Sequence, residues 1–459
     1  MRKHYDSASP VHAFLVARVT RPTMLGMCVC VLLAAAGCRD VKTEDQRQVL
    51  TVAYHLGGSE GRQKHWDAWK ARFEQDNPLW RLEMVPVAPG TARGSYIAAG
   101  NADALPDVMQ LFDLTEWLAE EGYVQPLPAA FIPRGHTPGE KVYGAGGGVR
   151  LCGIAVNASL ASAAGIQAPP ENWTQFLGCL RKMQQYLAES GRGAKGCRAL
   201  IWGSDWSVRL PMEMAVCADL YTRDAATPSW AALRGDNKAS FAADKTAETI
   251  AGNLVELVRE FVSEQKPPAL TYEKQRELFF QGKAAFWFAG TWIGSDIAAF
   301  GGDVEVDFWP MPSMVGRTGT FVAAARDGGW GLARGLDGER QKTAVKALEA
   351  LLSMDVYQAY LDAEGCIGQT FNASARIPST AGRTGIFYEN VRRRFAICGA
   401  AAGLHASQQT PPGFEGALER ACHRMIEDAL ARRVTDIPAM LTRLDEAWDK
   451  GESQAEEGP

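Results

Sequence analysis

The sequence predicts an α/β protein with two lobes, and three observations lead to this class. Strand-like runs occupy residues 49–54, 82–87 and 107–112, and helical spacing fills the segments between them. This β-α-β-α-β order predicts a parallel sheet, and such sheets bind ligands at the carboxyl ends of their strands. A body of about 420 residues follows the N-terminal segment, which is too long for one hydrophobic core and suits two lobes.

Local signals support the individual elements. In the first helix, Trp66, Trp69 and Phe73 recur at helical spacing, which is typical of a face packed on a core, and Pro78 ends that helix. Asn172 is placed to cap a later helix. Further strands are predicted at 151–157, 304–309 and 329–333, and further helices at 245–262, 272–281, 340–352, 414–432 and 437–448.

The N-terminal segment predicts export. Basic residues, including Arg2 and Arg21, precede the uncharged run 24–36. That run of about 13 residues is too short to cross a hydrocarbon core about 30 Å thick, but it fits a signal peptide. Small residues then precede Cys38 in a pattern that resembles the lipobox of bacterial lipoproteins, although Ala35 stands where leucine is commoner. The alternative is a plain secretory signal cut just before Cys38.

Charge and cysteine content argue against several classes. The formal net charge is −5 with both signs interspersed, so no basic face for nucleic acid is predicted. The densest basic run, at 392–394, is typical of a solvated helix face. Neither the cysteines nor the histidines show metal-ligand spacing, so no metal or other cofactor is expected. Isolated buried thiols are expected, with a bridge between Cys179 and Cys197 left open.

Five stretches resemble one protein family, in the order in which that family carries them. They are a strand closing in Asp113 before Gly122-Tyr-Val-Gln-Pro-Leu127; Gly153-Ile-Ala-Val-Asn157; Phe280-Gln-Gly-Lys-Ala-Ala-Phe286 before Gly290-Thr-Trp292; Trp309-Pro-Met-Pro312; and Gly328-Gly-Trp-Gly-Leu332. Over residues 48–450 the chain resembles the extracellular solute-binding proteins of carbohydrate ABC importers. This is the maltose-binding-protein-like family 1, here in its lipoprotein form.

The resemblance implies a two-lobed periplasmic-binding-protein fold, in which each lobe is a mostly parallel sheet flanked by helices. It also implies three hinge crossings, near 153–156, 329–331 and 365–371, where glycines recur. The implied division is a signal peptide at 1–37, a tether at 38–47, lobe I at 48–153 with 331–368, lobe II at 154–330 with 369–452, and a disordered tail at 453–459.

Aromatic residues are the strongest candidates for a sugar site, because sugar C–H patches stack on aromatic faces. Trp292 follows Gly290 and Thr291, and Thr291 is placed to cap the helix that runs to Phe300. Trp292 therefore falls at a strand-to-helix corner, although a core tryptophan is the competing interpretation. Trp330 lies between glycines at the second implied crossing.

The remaining candidates lie in the first lobe. Phe112 and Asp113 match a corner where members of the resembled family often place a carboxylate on sugar hydroxyls, and the alternative for Asp113 is a simple helix cap. Gly57, Gly58 and Ser59 would offer backbone N–H groups at a helix N-terminus.

The resemblance implies a receptor rather than an enzyme. It would capture a sugar, such as a maltodextrin or a related oligosaccharide, in the cleft between the lobes and deliver it to the permease subunits of an ABC importer. It would act as a monomer on the periplasmic side of a bacterial membrane, held there by palmitate-type acyl chains on Cys38. The alternatives are a same-fold receptor for a polyamine, peptide or iron, and an exported glycosidase, which would need two carboxylates about 5–9.5 Å apart.

Overall fold

The structure is a computed structural model that describes residues 45–56, 60–88, 91–112, 114–131, 141–221, 230–262, 270–300, 303–316, 323–368, 382–396 and 414–456. Several predictions fall outside these ranges: the signal peptide, Cys38 with the tether up to residue 44, the loop 57–59, Asp113, the end of the third crossing at 369–371, and the last residues of the tail, 457–459. They stay predictions.

The strands are β1 (Gln48–Tyr54), β2 (Trp80–Pro86), β3 (Val108–Gln110), β4 (Val124–Gln125), β5 (Gly148–Asn157), β6 (Arg198–Ile201), β7 (Ala284–Gly290), β8 (Val306–Trp309), β9 (Ala323–Asp327), β10 (Trp330–Ala333) and β11 (Ile367–Gly368). The helices are α1 (Glu60–Asp76), α2 (Ala92–Asn101), α3 (Thr115–Glu120), α4 (Ala158–Ala163), α5 (Trp173–Glu189), α6 (Leu210–Ala215), α7 (Trp230–Gly235), α8 (Lys245–Leu257), α9 (Tyr272–Phe280), α10 (Ile293–Phe300), α11 (Gly338–Leu351), α12 (Met354–Glu364), α13 (Gly382–Ala396), α14 (Phe414–Leu430) and α15 (Ile437–Glu456). Short 3-10 turns cover Ala129–Phe131, Gly193–Lys195 and Trp206–Arg209, and π-helical turns cover Val216–Tyr221 and Val258–Val262.

The first sheet has the strand order β2-β1-β3-β10-β4. The pairs β1–β2 and β1–β3 are parallel, as the β-α-β-α-β order predicted, with Val52 aligned to both Met84 and Val108. Strand β10 returns from far along the chain and runs antiparallel to β3 and β4. The carboxyl ends of β1 and β3 therefore lie at the same edge of this sheet.

Helix α1 covers the first sheet through the predicted aromatic stripe. Trp66, Trp69 and Phe73 are buried in one core with apolar residues of β1, β10, α11 and α12. The Trp69 indole N–H donates to the carbonyl of Ala347 at 2.7 Å, so its polar atom is satisfied inside the core. The core-packing interpretation of this stripe is confirmed.

The second sheet is built around β5. Strands β7, β8, β9 and β11 all pair with β5 in antiparallel orientation, and among the described strands of this sheet only β6 and β7 form a parallel pair. The prediction that each lobe has a mostly parallel sheet is therefore wrong for this lobe. Most partners of β5 come from distant parts of the chain and arrive in the opposite direction, which local periodicity does not encode. Helices α5, α8, α14 and α15 share the hydrophobic core on this side, and α5 is capped as predicted by Asn172, whose side chain accepts from the amide of Gln175.

The chain passes between the two sheets at three places in the described residues. Ala145 still bridges to β10 of the first sheet, whereas Gly148 already belongs to β5 of the second. The return lies between Asp327 of β9 and Trp330 of β10, and the third passage joins α12 to β11. The first crossing therefore precedes the implied segment 153–156, which is internal to β5. Residues 148–153 and 367–368 therefore pair in the second sheet, although the implied boundaries put them in lobe I. Trp330 pairs in the first sheet, although the implied boundaries put it in lobe II.

Three further points concern single residues or single helices. Cys179 and Cys197 are free thiols. Helix α15 continues to Glu456, so a disordered tail from residue 453 is wrong for residues 453–456. No helix in the described ranges combines the length and the apolar character that a membrane span requires.

A buried histidine makes the first lobe sensitive to acid. His65 on α1 is fully buried, its Nδ1 lies 2.8 Å from the Tyr54 hydroxyl, and its Nε2 has no hydrogen-bond partner among the described residues. Burial lowers the pKa of His65 from 6.5 to about 3. Since the unfolded chain takes up this proton at higher pH than the folded chain does, stability falls as the pH drops from 6.5 towards 3.

We expect this histidine to contribute a slope of about 1.4 kcal/mol per pH unit to the free energy of unfolding. Other groups titrate in the same window, so the measurement is the difference between the wild type and His65→Gln in urea unfolding at several pH values between about 6 and 4. A constant difference across that range would contradict the assignment.

Candidate functional site

An aromatic platform lies at the carboxyl ends of the two parallel strands of the second sheet. Trp206 follows β6, Trp292 follows β7, and Tyr272 starts α9 beside them. The ring centroids are 5.0 Å apart for Trp206 and Tyr272 and 6.2 Å apart for Trp206 and Trp292. Trp206 is 40% exposed, Trp292 is partly exposed and Tyr272 is buried. The platform therefore presents two indoles, backed by a phenol.

A hydrogen-bonded network holds the platform in place. Asp205 accepts from the amide of Ser207 at 3.1 Å, which closes the 3-10 turn carrying Trp206, and its other oxygen accepts from the amide of Tyr272 at 2.7 Å. The Ser207 hydroxyl accepts from the side-chain amide of Gln275 at 2.7 Å, and Gln275 accepts from the Trp287 indole at 3.0 Å. The exposed indole of Trp206 thus stands on a buried, satisfied network, which fixes its orientation before a ligand arrives.

Trp292 lies at the predicted strand-to-helix corner. Its indole N–H donates to the Tyr272 hydroxyl at 2.6 Å. Its ring folds back over Gly290, where a Cβ would lie 2.0 Å from the indole, so only glycine fits at that position. Thr291 is fully buried, and its hydroxyl accepts from the amide of Leu151 on β5 at 3.2 Å, a bond to the sheet instead of the predicted helix cap. Gly290 and Thr291 therefore hold the corner that carries Trp292.

An ion pair lies one helical turn beyond the platform. Arg276 is four residues after Tyr272, Asp296 is four residues after Trp292, and their side chains approach to 3.4 Å. Burial raises the pKa of Asp296 to about 6, although Arg276 acts in the opposite direction. The pair therefore places a guanidinium and a carboxyl group one helical turn along α9 and α10 from Tyr272 and Trp292.

A second set of candidate groups lies at the strand ends of the first lobe. His55 follows β1, and its amide donates to the side chain of Gln110 at the end of β3 at 2.8 Å. Phe112 lies 6.3 Å from His55 between ring centroids, is mostly buried, and has a φ of 52°. A left-handed aromatic residue is strained, and such strain concentrates at functional sites. Its carbonyl accepts from the amide of Gly328, which ties this corner to the second passage between the lobes.

An ion cluster joins the two lobes beside these strand ends. Glu364, the last residue of α12, binds Arg62 of α1 through both carboxylate oxygens and also accepts from Arg150 of β5 at 2.8 Å. Burial raises the pKa of Glu364, yet the two guanidinium groups outweigh burial and hold it at about 2. Burial, with Arg62 next in importance, lowers the pKa of His55 to about 4, so His55 is neutral at pH 7.

The ion cluster and the platform are neighbours. Gly365 directly follows Glu364, and a Cβ on Gly365 would lie 2.5 Å from both the carbonyl oxygen of Thr291 and the Cα of Trp292. Backbone from the third passage therefore touches the corner that carries Trp292. The third passage thus links the ion cluster to the corner that carries Trp292.

Trp330 is placed differently from the other candidates. It is 0% exposed, stacks on Tyr54 at 6.1 Å, and packs against Trp69 at 5.3 Å between ring centroids. Within the part of the chain that the structure describes, its indole N–H has no hydrogen-bond partner. In this structure Trp330 belongs to the core of the first lobe, because β10 turns its side chain towards α1, and we do not include it in the site proposed below.

Sequence reasoning missed most of the side chains that assemble here. They are Trp206, Tyr272, His55, Arg276, Asp296, Arg62, Arg150 and Glu364. A usable signal existed only for Trp206, where Asp205 can cap a turn directly after a short strand. Within the described ranges, no three His, Cys, Asp or Glu side chains come together as a metal site would require.

Comparisons with known proteins identify relatives of this arrangement. The model of the family described as bacterial extracellular solute-binding protein matches residues 68–381. A solved chitin oligosaccharide binding protein has a TM-score of 0.68 at 18% identity, covering 89% of this chain and 100% of its own. A putative binding protein from Bacillus subtilis in an open conformation has a TM-score of 0.71 at 14% identity, covering 90% and 99%.

A sugar transporter from Bacillus licheniformis in complex with stachyose has a TM-score of 0.66 at 13% identity, covering 88% of this chain and 100% of its own. No curated protein matches the chain. At these identities the solved structures establish the two-lobed fold and nothing finer.

Proposed function

This chain belongs to the bacterial extracellular solute-binding proteins, and we propose that it is the sugar-capturing receptor of an ABC importer. The aromatic platform of Trp206, Tyr272 and Trp292 carries the proposal. It lies at the carboxyl ends of parallel strands, where ligands bind to such sheets, and it presents partly exposed indoles on a rigid support. Its Trp292 corner also touches the third passage between the lobes. Closure of the lobes around a sugar would then create the form that the permease recognises.

The physical basis is the match between indole faces and the C–H faces of a pyranose ring. If a sugar ring covers about 100 Å² of one indole, burial at about 25 cal/mol per Å² contributes roughly 2.5 kcal/mol. Micromolar binding corresponds to about 8 kcal/mol. Two indoles would therefore supply much of the affinity before the entropic cost of ordering is subtracted.

Polar groups around the platform suit the hydroxyls. Arg276 and Asp296 lie one turn beyond the indoles, and Arg62 and Arg150 lie at the passage between the lobes. Guanidinium groups donate in a fixed fork, while carboxylates accept. This mixture favours a neutral, hydroxyl-rich ligand over a polyamine, which would call for an acid-lined cleft.

The relatives support an oligosaccharide over a single sugar, because one is a chitin oligosaccharide binding protein and another was solved with stachyose. The specific sugar is left open, and the predicted maltodextrin is one member of the class. We carry forward the permease partner, the monomeric state and the acyl anchor on Cys38 as parts of the proposal. Mass spectrometry of the N-terminal peptide tests the anchor, and an unmodified peptide would contradict it.

A ligand screen tests the function. Residues 47–459 form one compact unit, so the soluble body 48–459 is suitable for thermal-shift measurements. We expect stabilisation by one class of di- to tetrasaccharide, since a ligand that binds only the folded state at 100 times its Kd contributes about 2.7 kcal/mol. Amino acids, polyamines and short peptides serve as the comparison set. Stabilisation by polyamines or peptides alone would refute the sugar assignment and favour the alternative receptors.

A further inference from the structure

The 3-10 turn that begins with Trp206 ends with an arginine, Arg209. The two inner residues of the turn, Ser207 and Val208, are buried, whereas Trp206 and Arg209 both reach the surface. In a 3-10 helix, side chains three residues apart eclipse each other. Arg209 therefore projects from the same side of the turn as the exposed indole, about 6 Å further along the turn.

Arg209 forms an ion pair with Glu213 on α6. Its Nε lies 2.9 Å from a carboxylate oxygen of Glu213, and both side chains are mostly buried. Two charges that are held out of water lose solvation, so a mostly buried ion pair is weak evidence for a purely stabilising role. Three residues from an exposed indole, such a pair has the chemistry of a ligand-binding group.

A second observation places Glu213 near the strand end that leads into the platform. Helix α6 packs on β5, β7 and β9. Cys152 of β5 is aligned with Gly290, which is the last residue of β7 and lies two residues before Trp292. Burial, followed by the Glu213 carboxylate, raises the pKa of the Cys152 thiol to about 12. Glu213 is therefore within electrostatic reach of the carboxyl end of β7.

We infer that Arg209 and Glu213 form a polar subsite that binds hydroxyl groups of the sugar stacked on Trp206. The inference rests on the proposed function, because it adds a hydrogen-bonding side to the aromatic platform. A guanidinium has five N–H donors and a carboxylate accepts along about four directions, so both can bind a hydroxyl in addition to their protein partners. The opposite charges of the pair offset each other, which suits a neutral ligand better than an anion or an amine.

The backbone between Trp206 and Glu213 is held in place. Asp205 accepts from the amide and from the hydroxyl of Ser207, at 3.1 and 2.6 Å, which closes the turn. Pro211 stands in the first turn of α6, where its fixed φ favours the helix. The spacing between the indole and the ion pair is therefore set before a ligand arrives, which reduces the ordering cost of binding.

The variants Glu213→Gln and Arg209→Gln, measured in the full chain by isothermal titration, test the inference. The probes are maltotetraose, stachyose and chitotetraose, and the one that stabilises the wild type most in a thermal-shift assay is titrated. The matched control is Glu74→Gln in the first lobe, because Glu74 binds Arg47 at 2.7 Å and is 17% exposed against 20% for Glu213. We expect each test variant to bind about tenfold more weakly, and the control to bind as the wild type does.

A double variant distinguishes contact with the sugar from support of the indole. If Glu213 binds the sugar itself, Glu213→Gln should weaken binding about tenfold in the Trp206→Ala background as well. If Glu213 only holds the turn that carries Trp206, the second substitution will have no further effect, and the inference is wrong. Circular-dichroism melts verify that the variants fold.

Two further outcomes separate this inference from the proposed function. Wild-type affinity in both single variants, together with a loss in Trp206→Ala, would refute the subsite and leave the proposed function standing. No stabilisation of the wild type by any of the three saccharides would refute the proposed function and the subsite together.

Discussion

Replacing Trp206 by alanine is expected to weaken sugar binding about 10- to 50-fold while the unliganded protein keeps most of its stability. Trp206 is 40% exposed, and its ring contacts are with Tyr272 and Trp292. The indole therefore contributes little to the core but offers the largest open aromatic face of the platform. Loss of about 100 Å² of stacking area removes up to about 2.5 kcal/mol of binding energy, and the ordering cost saved returns part of it.

The measurement is isothermal titration with the saccharide that gives the largest shift in the ligand screen. Trp117→Ala is the matched control, because Trp117 is also partly exposed but lies in the first lobe, beneath Arg93 and next to Tyr123. Wild-type affinity in Trp206→Ala would remove the platform from the site. A loss of stability as large as that expected for a buried tryptophan, about 3–5 kcal/mol, would identify Trp206 as part of the core.

The variant Trp292→Ala tests whether this indole positions its aromatic neighbours as well as contacting the ligand. Trp292 touches Trp206 and donates to the Tyr272 hydroxyl, so its removal would loosen the whole platform. Trp206→Ala leaves the Trp292–Tyr272 bond intact. Comparison of the two variants therefore distinguishes an indole that stacks on the ligand from one that also positions its neighbour.

The sequence was sufficient for the three parallel strands of the first sheet, because these strands and their helices alternate along the chain. The 49–54 and 82–87 runs form β1 and β2 almost unchanged, and the helix between them buries the predicted face. The second sheet was not predictable in the same way. Strand β5 takes partners from residues 284 to 368, and their antiparallel direction depends on long connections that no local pattern records.

The site residues were likewise predictable where a local pattern marks them, and not where their role depends on residues distant in the sequence. Trp292 was found because a strand ends and a helix begins within three residues of it. Trp206 was missed because β6 has only four residues and lies within a segment of helical spacing. Trp330 has glycine on both sides, a pattern that fits a hinge and a tightly packed strand equally well. Only its position beside α1 decides that it is buried.

Replacing Glu364 by glutamine is expected to lower the free energy of unfolding by about 3 kcal/mol at pH 7. Glu364 is 5% exposed and holds Arg62 of the first lobe and Arg150 of the second sheet. Removing one member of a buried ion cluster leaves the opposite charges inside the protein without their counterion, which typically costs 3–5 kcal/mol. The pKa of Glu364, lowered from 4.5 to about 2, gives a similar figure at about 1.4 kcal/mol per unit.

The pH dependence identifies the charge as the cause. Because the folded pKa of Glu364 lies below its unfolded value, the stabilisation is complete above pH 4.5 and is lost as the pH falls towards 2. The difference between the wild type and Glu364→Gln in urea unfolding should therefore shrink over that interval. The matched control is Glu260→Gln, which breaks an equally bidentate but exposed pair with Arg181.

That control should cost no more than about 1 kcal/mol, because solvent screens an exposed pair. Equal losses in both variants would show that burial does not strengthen the cluster at the passage between the lobes. A loss in Glu364→Gln that stays constant down to about pH 2.5 would assign it to packing instead of charge. If the results are as expected, the Glu364 carboxylate ties α1 to β5 at the third passage. Because the next residue, Gly365, touches the corner that carries Trp292, the geometry of the cleft then depends on this carboxylate.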